Sequence, residues 1–261
     1  MYECHRLTID RMAERYGADP RALALIVVGS VARGDPWEDS DIDAYLIVSD
    51  DEYARRRESG ELGFSADVLC EPPCHEAGGT VVDKRFLLEA AAHGPEPTRF
   101  AFLKAIVAFS RLPKLDAVVR LIPVYQDGER REKMESFASQ LPVHFSYLEL
   151  GEYSDNAYIL NETAVQIALF GGRLILAYNR MLYPNRKQFL RQLDLAPEKP
   201  AEMLALMDAL LRRPSIANAR AFYDAILGFA DWPHPKEGAW ERYARDSERH
   251  WLGGRAPVAD W

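Results

Sequence analysis

The sequence has few cysteines and no long hydrophobic run, and each absence excludes a class of protein. Its 261 residues include three cysteines, an odd number that does not make the disulfide framework of a small secreted domain. No apolar run approaches the roughly 20 residues that a membrane-spanning helix needs. The N-terminal stretch MYECHRLTIDRMAERYG is polar and periodic, unlike a signal peptide. We therefore expect a cytoplasmic protein without a membrane-spanning segment.

The sequence also has no excess of positive charge. The formal net charge is −8, whereas a protein that binds a nucleic-acid backbone usually has a basic patch. Two basic clusters occur, at residues 55–57 and 130–131, but acidic residues interrupt or flank both. The charge balance therefore favours a small or cationic partner over a nucleic acid.

Three common motifs, GxxxxGK[ST], GxGxxG and HExxH, are absent, so the P-loop, Rossmann and zincin classes have no support. Cys70, Cys74 and His75 form a C-x3-C-H group, but this spacing is looser than that of a structural zinc site. Free cysteines are commonly buried as small hydrophobic residues, and we favour that interpretation for both thiols.

The first half of the sequence mixes strand and helix patterns, whereas the second half shows helical patterns alone. Short apolar runs predict strands at residues 25–28, 44–48, 64–71 and 105–109. Helical periodicity predicts helices at residues 3–16, 50–59, 84–93, 132–150, 158–178, 201–211, 216–229 and 240–251. We therefore predict an α+β protein, with a mixed-sheet domain and flanking helices over residues 1–127 and an α-helical bundle over residues 128–261.

Residues 25–48, LIVVGSVARGDPWEDSDIDAYLIV, join two predicted strands and contain the strongest chemical signal. Because residues i and i+2 of a strand share a face, Asp41 and Asp43 point the same way. Two adjacent carboxylates repel each other unless cations lie between them, and Mg²⁺ prefers a few carboxylate oxygens with waters and phosphates completing its shell. The pair therefore predicts a site for two Mg²⁺ ions that would clamp an in-line displacement at phosphorus.

A glycine turn supplies the other half of this predicted site. Gly29 lets the chain turn tightly beside phosphate groups. Ser30 and the backbone N–H groups after it can donate hydrogen bonds to those phosphates, helped by the N-terminus of a following helix. Ser40, which precedes Asp41, completes the nucleotide-binding candidates.

The Gly-Ser turn, the gap, the Asp-x-Asp pair and the flanking strands together resemble the signature of the DNA polymerase β-like nucleotidyltransferase superfamily. The form GSVARGDPWEDSDIDAYLIV is most similar to its small bacterial branch, which includes the aminoglycoside and the minimal nucleotidyltransferases. The resemblance implies that a nucleoside monophosphate moves from a Mg²⁺-bound NTP, with ATP expected, to a hydroxyl group, and that pyrophosphate is released. It further implies a small polyhydroxylated or cationic acceptor, such as an aminoglycoside in antibiotic resistance, bound by the helical domain.

The resemblance also suggests residues outside the motif. Members of this superfamily take a third carboxylate from a strand beside the diacid, and Asp67 is our candidate, as a metal ligand or as the base for the attacking hydroxyl. Glu71 is its alternative. In relatives with a helical second domain, a lysine of that domain often reaches the triphosphate. Lys187 fits this role, with Arg180 and Arg186 as alternatives.

Two other functions stay open at this point. The same chemistry could act on a protein or RNA acceptor, as in minimal nucleotidyltransferases that modify a toxin partner, although those are usually short single domains. The chain could also be a nucleotide-binding regulator without turnover. The intact Asp41 and Asp43 count against that, and an Asp67 that faced away from them would favour it. Glu149, Glu152 and Glu162 lie in or beside predicted helices and could bind a cationic acceptor or act as a general base.

Overall fold

The computed structural model describes all 261 residues, apart from the side chain of Asp260. The chain divides into two compact units, Met1–Val124 and Tyr125–Trp261. The first unit contains a five-stranded sheet with flanking helices, and the second is built from helices and turns. The predicted α+β fold class is confirmed.

The strands of the first unit are β1 (Ala22–Val27), β2 (Ile42–Val48), β3 (Gly63–Ser65), β4 (Ala77–Val82) and β5 (Ile106–Ser110). Its helices are α1 (Glu3–Gly17), α2 (Gly29–Arg33), α3 (Asp50–Ser59), α4 (Lys84–His93), α5 (Glu96–Ala101) and α6 (Leu115–Leu121). The strand order is β3-β4-β2-β1-β5, with β2 and β4 parallel and the other neighbours antiparallel. Parallel neighbours need a long crossover connection, which α3 and β3 supply.

Strand β2 is buried on both faces over most of its length. Ile42, Ala44, Leu46 and Val48 lie in the core formed with α1, whereas Ile47 lies in the opposite core, formed with α4 and α6. Burial of each large aliphatic side chain contributes about 1.5–3 kcal/mol, and a slip of one residue would exchange the two faces. The apolar pattern therefore fixes the register of β2, and with it the direction of the residues at its first turn.

The predicted strand at residues 64–71 is wrong in extent. Strand β3 ends at Ser65, and Asp67–Leu69 form a turn of 3-10 helix. The Asp67 carboxylate accepts hydrogen bonds from the Ser65 hydroxyl (2.8 Å) and from the Ala77 N–H (2.9 Å). A short acidic side chain that bonds nearby backbone competes with the sheet ladder, and this competition ends β3 early.

Strand β4 is not predicted by the sequence pattern, because glycine is rare inside strands. The structure explains the two glycines. A Cβ at Gly78 would lie 2.4 Å from the carbonyl oxygen of Phe64, and one at Gly79 would lie 1.9 Å from that of Ala44. The backbones on both sides of β4 therefore approach too closely for side chains at these positions.

The second unit contains six helices, counted over its described residues: α7 (Arg130–Tyr153), α8 (Ala157–Tyr178), α9 (Phe189–Asp194), α10 (Met203–Arg212), α11 (Ile216–Leu227) and α12 (Ala239–Tyr243). Helix α8 lies at its centre. A Cβ at Gly171 would lie 2.6 Å from the Phe222 ring, and one at Gly172 would lie 2.4 Å from the Phe189 ring. The glycine pair therefore lets α11 and α9 approach α8 closely.

Helix α8 is the one described helix that is long and apolar enough to cross a membrane by composition, with a mean hydropathy of 1.3. Of the segment that meets this criterion, 61% is buried inside the protein. A central core helix has the same composition, so packing within the second unit accounts for it.

The predicted helix at residues 240–251 is wrong in its second half. Helix α12 ends at Tyr243, and a π turn follows at Ala244–Glu248. Asp246 in this turn is buried and accepts hydrogen bonds from Ser136 and Arg242. A buried charge is stable only when it is paired and hydrogen-bonded, and the wider turn brings Asp246 to these partners.

His144 makes the second unit sensitive to acid. Its ring stacks on Phe170, with 5.7 Å between centroids, and burial lowers the pKa of His144 from 6.5 to about 4. His144 is protonated more readily in the unfolded chain than in the folded one. The folded state is therefore most stable above pH 6.5 and becomes less stable as the pH decreases to about 4. At about 1.4 kcal/mol for each pH unit, the free energy of unfolding should decrease by about 3 kcal/mol over this range.

The substitution His144→Phe should remove this part of the pH dependence, and urea unfolding at neutral and at acidic pH measures it. The same substitution at His93, an exposed residue of α4, is the control and should leave the dependence unchanged. Equal pH dependence in the wild type and in His144→Phe would contradict the assignment.

Candidate active site

The centre of the site lies where α2 meets the start of β2. Asp41 directly precedes β2, Asp43 is its second residue, and both are exposed, whereas Ile42 between them is buried. This alternation of exposed and buried residues places the two carboxylates on the same face, side by side at the start of the strand. Gly29 adopts φ +74°, and a Cβ there would lie 2.6 Å from Asp43 Oδ2. The backbone of the glycine turn thus lies directly against the Asp43 carboxylate.

Helix α2 begins at this turn. The Val28 N–H donates to the carbonyl oxygen of Asp43 (2.9 Å), which ties the start of α2 to β2. The first N–H groups of a helix have no carbonyl partner inside it, so those of Gly29, Ser30 and Val31 are available to an anion. Gly34 ends the helix at φ +89°. The arrangement places the start of α2 beside the Asp43 carboxylate.

Ser40 has a defined place in the loop before Asp41. Its hydroxyl oxygen accepts the Trp37 N–H (2.8 Å), and its own N–H donates to the carbonyl oxygen of Trp37 (3.1 Å). These bonds close a short turn and leave the hydroxyl proton of Ser40 free to be donated elsewhere. Its predicted contact with a nucleotide stays a prediction.

Asp67 lies on the other side of β4 from the two aspartates. Its carboxylate accepts the N–H of Ala77, which points away from β2 because Ala77 pairs with Ile42. That hydrogen bond, and the one from the Ser65 hydroxyl, lower the pKa of Asp67. Among the described residues, no three His, Cys, Asp or Glu side chains are arranged to hold a metal ion. The structure therefore brings Asp41 and Asp43 together without Asp67, whose catalytic role stays a prediction.

Glu76 is a carboxylate that the sequence pattern misses. In the parallel β2–β4 pair, Ile42 is opposite Ala77 and Asp43 is opposite Gly78. The same register places Glu76 beside Asp41, and the Ile42 N–H donates to the carbonyl oxygen of Glu76 (3.0 Å). Because Ile42 and Ala77 are buried on one face, the exposed Asp41 and Glu76 share the other. This proximity becomes visible only when the register of β4 is known.

The two cysteines near this site are free thiols. The Cys74 and Cys70 sulfurs are 3.4 Å apart, and burial, together with the neighbouring thiol, raises the pKa of Cys70 to about 12. His75 is exposed, and among the described residues no group of three His, Cys, Asp or Glu side chains is arranged to hold a metal ion.

The second unit contains the remaining sequence candidates. Lys187 is exposed in the turn before α9, whereas Arg180 is paired with Asp127 (2.9 Å). Glu152 accepts the N–H of Ile216 and so caps α11. The predicted contact of Lys187 with a triphosphate stays a prediction.

Glu162 lies on the outward face of α8, beside Tyr158, Asn161, Val165 and Gln166. Glu149, in contrast, lies 3.8 Å from Arg220 and has a partner within its own unit. The predicted contact of these carboxylates with an acceptor stays a prediction.

The donor set of the first unit fits Mg²⁺. This ion usually takes one or two carboxylates and keeps water and phosphate oxygens as its other ligands. Asp41 and Asp43 supply those carboxylates at an exposed position, and the absence of a side chain at Gly29 leaves room for phosphate beside them. A metal-assisted phosphoryl site uses residues of these types.

One family model matches more than half of the chain. Residues 6–149, which are 144 of the 261, match the family model described as a nucleotidyltransferase domain. The chain is also similar to a solved nucleotidyltransferase-like protein from Exiguobacterium sibiricum 255-15, with 15% identity and a TM-score of 0.46, over 85% of this chain and 73% of that one. No curated protein matches the chain.

Proposed function

The chain belongs to the nucleotidyltransferase domain family, and from that premise we propose that it transfers a nucleoside monophosphate from a Mg²⁺-bound NTP to a hydroxyl group of a small polyhydroxylated molecule. The observation that carries the proposal is the contact between the Gly29 turn and Asp43, with 2.6 Å from a Gly29 Cβ position to Asp43 Oδ2. Only a glycine lets the phosphate-binding backbone lie so close to a metal-binding carboxylate.

The residues of the site have separate tasks in this reaction. Asp41 and Asp43 would hold Mg²⁺, which supplies positive charge to the phosphate oxygens and makes the acceptor hydroxyl more acidic. The N–H groups of Gly29 and Ser30 bind oxygens of the pyrophosphate that leaves. The acceptor oxygen forms a bond to the α-phosphorus, the bond from that phosphorus to the bridging oxygen breaks, and pyrophosphate leaves with the electron pair. The hydroxyl proton passes to a carboxylate.

We propose Glu76 as the general base of the site, not as a third metal ligand, and a structural task for Asp67. Glu76 lies beside Asp41 on the exposed face of the sheet, whereas both carboxylate oxygens of Asp67 already accept hydrogen bonds within the β3–β4 turn. Glu76→Gln should lower kcat by about 10²-fold with little change in thermal stability, as the loss of a general base does. Asp67→Asn should lower the thermal midpoint but leave kcat close to the wild-type value. Pyrophosphate release and thermal unfolding of both variants test this, and the opposite pattern would restore Asp67 as the third carboxylate.

The acceptor is proposed to be small and cationic, such as an aminoglycoside, with ATP as the expected donor. The net charge of −8 supports a cationic acceptor. The outward face of α8 adds a carboxylate from Glu162, amide groups from Asn161 and Gln166, and the exposed ring of Tyr158. Carboxylates bind ammonium groups, amides bind hydroxyls, and aromatic rings attract cations. The second unit is therefore proposed as the acceptor-binding part, and Lys187 as its contact with the triphosphate.

The proposal is tested by incubating the protein with Mg²⁺, each of ATP, GTP, CTP and UTP, and a panel of aminoglycosides and neutral polyols. Mass spectrometry should detect an acceptor whose mass has increased by one nucleoside monophosphate, with pyrophosphate as the second product. A parallel reaction with RNA and with cell protein as acceptors tests the two other acceptor classes. If calorimetry shows no binding of any NTP in the presence of Mg²⁺, the enzyme proposal is wrong.

A further inference from the structure

Helix α1 holds the loop that leads into the Asp41 position. His5 has no exposed surface, and its Nε2 donates to the carbonyl oxygen of Ser40 across 3.1 Å. The neighbouring Cys4 is also buried and donates its thiol proton to the carbonyl oxygen of Glu38 at 3.5 Å. Two consecutive side chains of α1 therefore bond two carbonyl groups of the segment that ends at Asp41.

The loop has few other attachments to the first unit at this point. The bonds between Trp37 and Ser40 stay within the loop itself. The next bond along the chain is from the Ile42 N–H to Glu76, in the sheet. The backbone on the two sides of Asp41 is thus fixed by His5 at Ser40 and by β4 at Ile42.

The protonation state of His5 follows from these contacts. A carbonyl oxygen can only accept, so Nε2 bears the proton. Nδ1 is buried, without a hydrogen-bond partner among the described residues, and a second proton there would have no acceptor. Burial lowers the pKa of His5, and the ring meets Tyr2 edge-on at 5.8 Å. His5 is therefore a neutral donor aimed at one carbonyl group.

Burial of this ring is not explained by stability alone. A buried polar atom without a partner costs free energy, and an apolar residue of similar shape would avoid that cost. One hydrogen bond from Nε2 offsets only part of it. What the histidine supplies, and an apolar residue could not, is a fixed distance between α1 and the residue before Asp41.

We infer that His5 is a positioning residue for Asp41: it fixes the Ser40 carbonyl and so sets the place of the first metal-binding carboxylate. The inference rests on the proposed function, since it takes Asp41 as a ligand of Mg²⁺. Residues that orient a metal ligand without touching the metal typically change metal affinity by 10–100-fold when they are replaced. Loss of the His5 donor should therefore appear in the Mg²⁺ dependence of the site.

The test compares three variants. His5→Leu removes the donor, whereas His5→Gln keeps an N–H group near the place of Nε2. Thr8→Val is the matched control, because Thr8 is equally buried on α1 but accepts the N–H of Glu71 (2.9 Å), in a different loop. If His5→Leu does not fold, His5→Asn replaces it, since its shorter amide does not reach Ser40.

Two measurements distinguish positioning from general stabilisation. Calorimetry in the presence of a non-hydrolysable NTP should show that His5→Leu binds Mg²⁺ about tenfold more weakly than the wild type. His5→Gln should recover most of the lost affinity, and Thr8→Val should bind Mg²⁺ as the wild type does. Amide hydrogen exchange without metal should increase at residues 38–41 in His5→Leu alone. Equal weakening of Mg²⁺ binding in Thr8→Val, or unchanged Mg²⁺ binding in His5→Leu, would overturn the inference.

The proposed function and the positioning role of His5 can fail independently. If the wild type binds no Mg²⁺–NTP, the proposed function fails, and the hydrogen exchange of residues 38–41 still tests the His5 contact. If the wild type binds and His5→Leu binds equally well, the function stands and the positioning role fails.

Discussion

Replacement of Asp43 by asparagine is expected to lower the rate of Mg²⁺-dependent pyrophosphate release by about 10³-fold or more while the protein stays folded. A metal-binding carboxylate contributes several kcal/mol to the stabilisation of a phosphoryl transition state, and each 1.4 kcal/mol is about tenfold in rate. Asparagine keeps the shape of the side chain and removes its charge. Because Asp43 is exposed at the start of β2, the free energy of unfolding should change by only about 0.5 kcal/mol or less.

Asp39→Asn provides the matched control for this experiment. Asp39 is exposed in the same loop, two residues before Asp41, and precedes the alternating part of the strand. The control makes the same change in net charge, so a general electrostatic effect would appear in both variants. If Asp43→Asn retained wild-type activity, or if Asp39→Asn lost as much, the assignment of the metal-binding carboxylates would be wrong.

The placement of Asp41 and Asp43 on one exposed face could be predicted from the sequence because it depends on local geometry. The two-residue period of a strand places Asp41 and Asp43 on one face, and Ile42 between them points to the other face, into the core. The family match over residues 6–149 confirms the superfamily that this stretch resembles. No pairing with a distant part of the chain was needed for either conclusion.

The neighbours of the diacid could not be predicted in the same way. Glu76 reaches Asp41 through the parallel register of β4, a strand that its two glycines hide from pattern analysis. Asp67 follows an edge strand that a side-chain hydrogen bond cuts short. His5 approaches Ser40 from a helix 35 residues earlier in the chain. Glu76 and His5 depend on contacts between distant segments, and Asp67 depends on a local hydrogen bond from Ser65. Hydrophobic periodicity carries no information on either kind of contact.

Gly29→Ala is expected to reduce activity by about 10²-fold, and Gly60→Ala separates the two causes of that loss. Gly29 has φ +74° and Gly60 has φ +76°, so alanine costs each site a similar backbone strain of about 1–2 kcal/mol. A Cβ at Gly60 would meet no described atom within 4 Å, whereas a Cβ at Gly29 would lie 2.6 Å from Asp43 Oδ2. Gly29→Ala must therefore move the Asp43 carboxylate or the phosphate-binding backbone.

Both glycine variants should unfold at similarly reduced denaturant concentrations, but only Gly29→Ala should lose Mg²⁺–NTP affinity and turnover. A displacement of about 1 Å in a reacting group can cost about 10² in rate, which is larger than any effect of backbone strain remote from the site. Denaturant unfolding, calorimetry and pyrophosphate release measure the three quantities. Retention of activity in Gly29→Ala would show that the turn tolerates a side chain against Asp43, and the Gly29–Asp43 contact could then no longer support the proposed reaction.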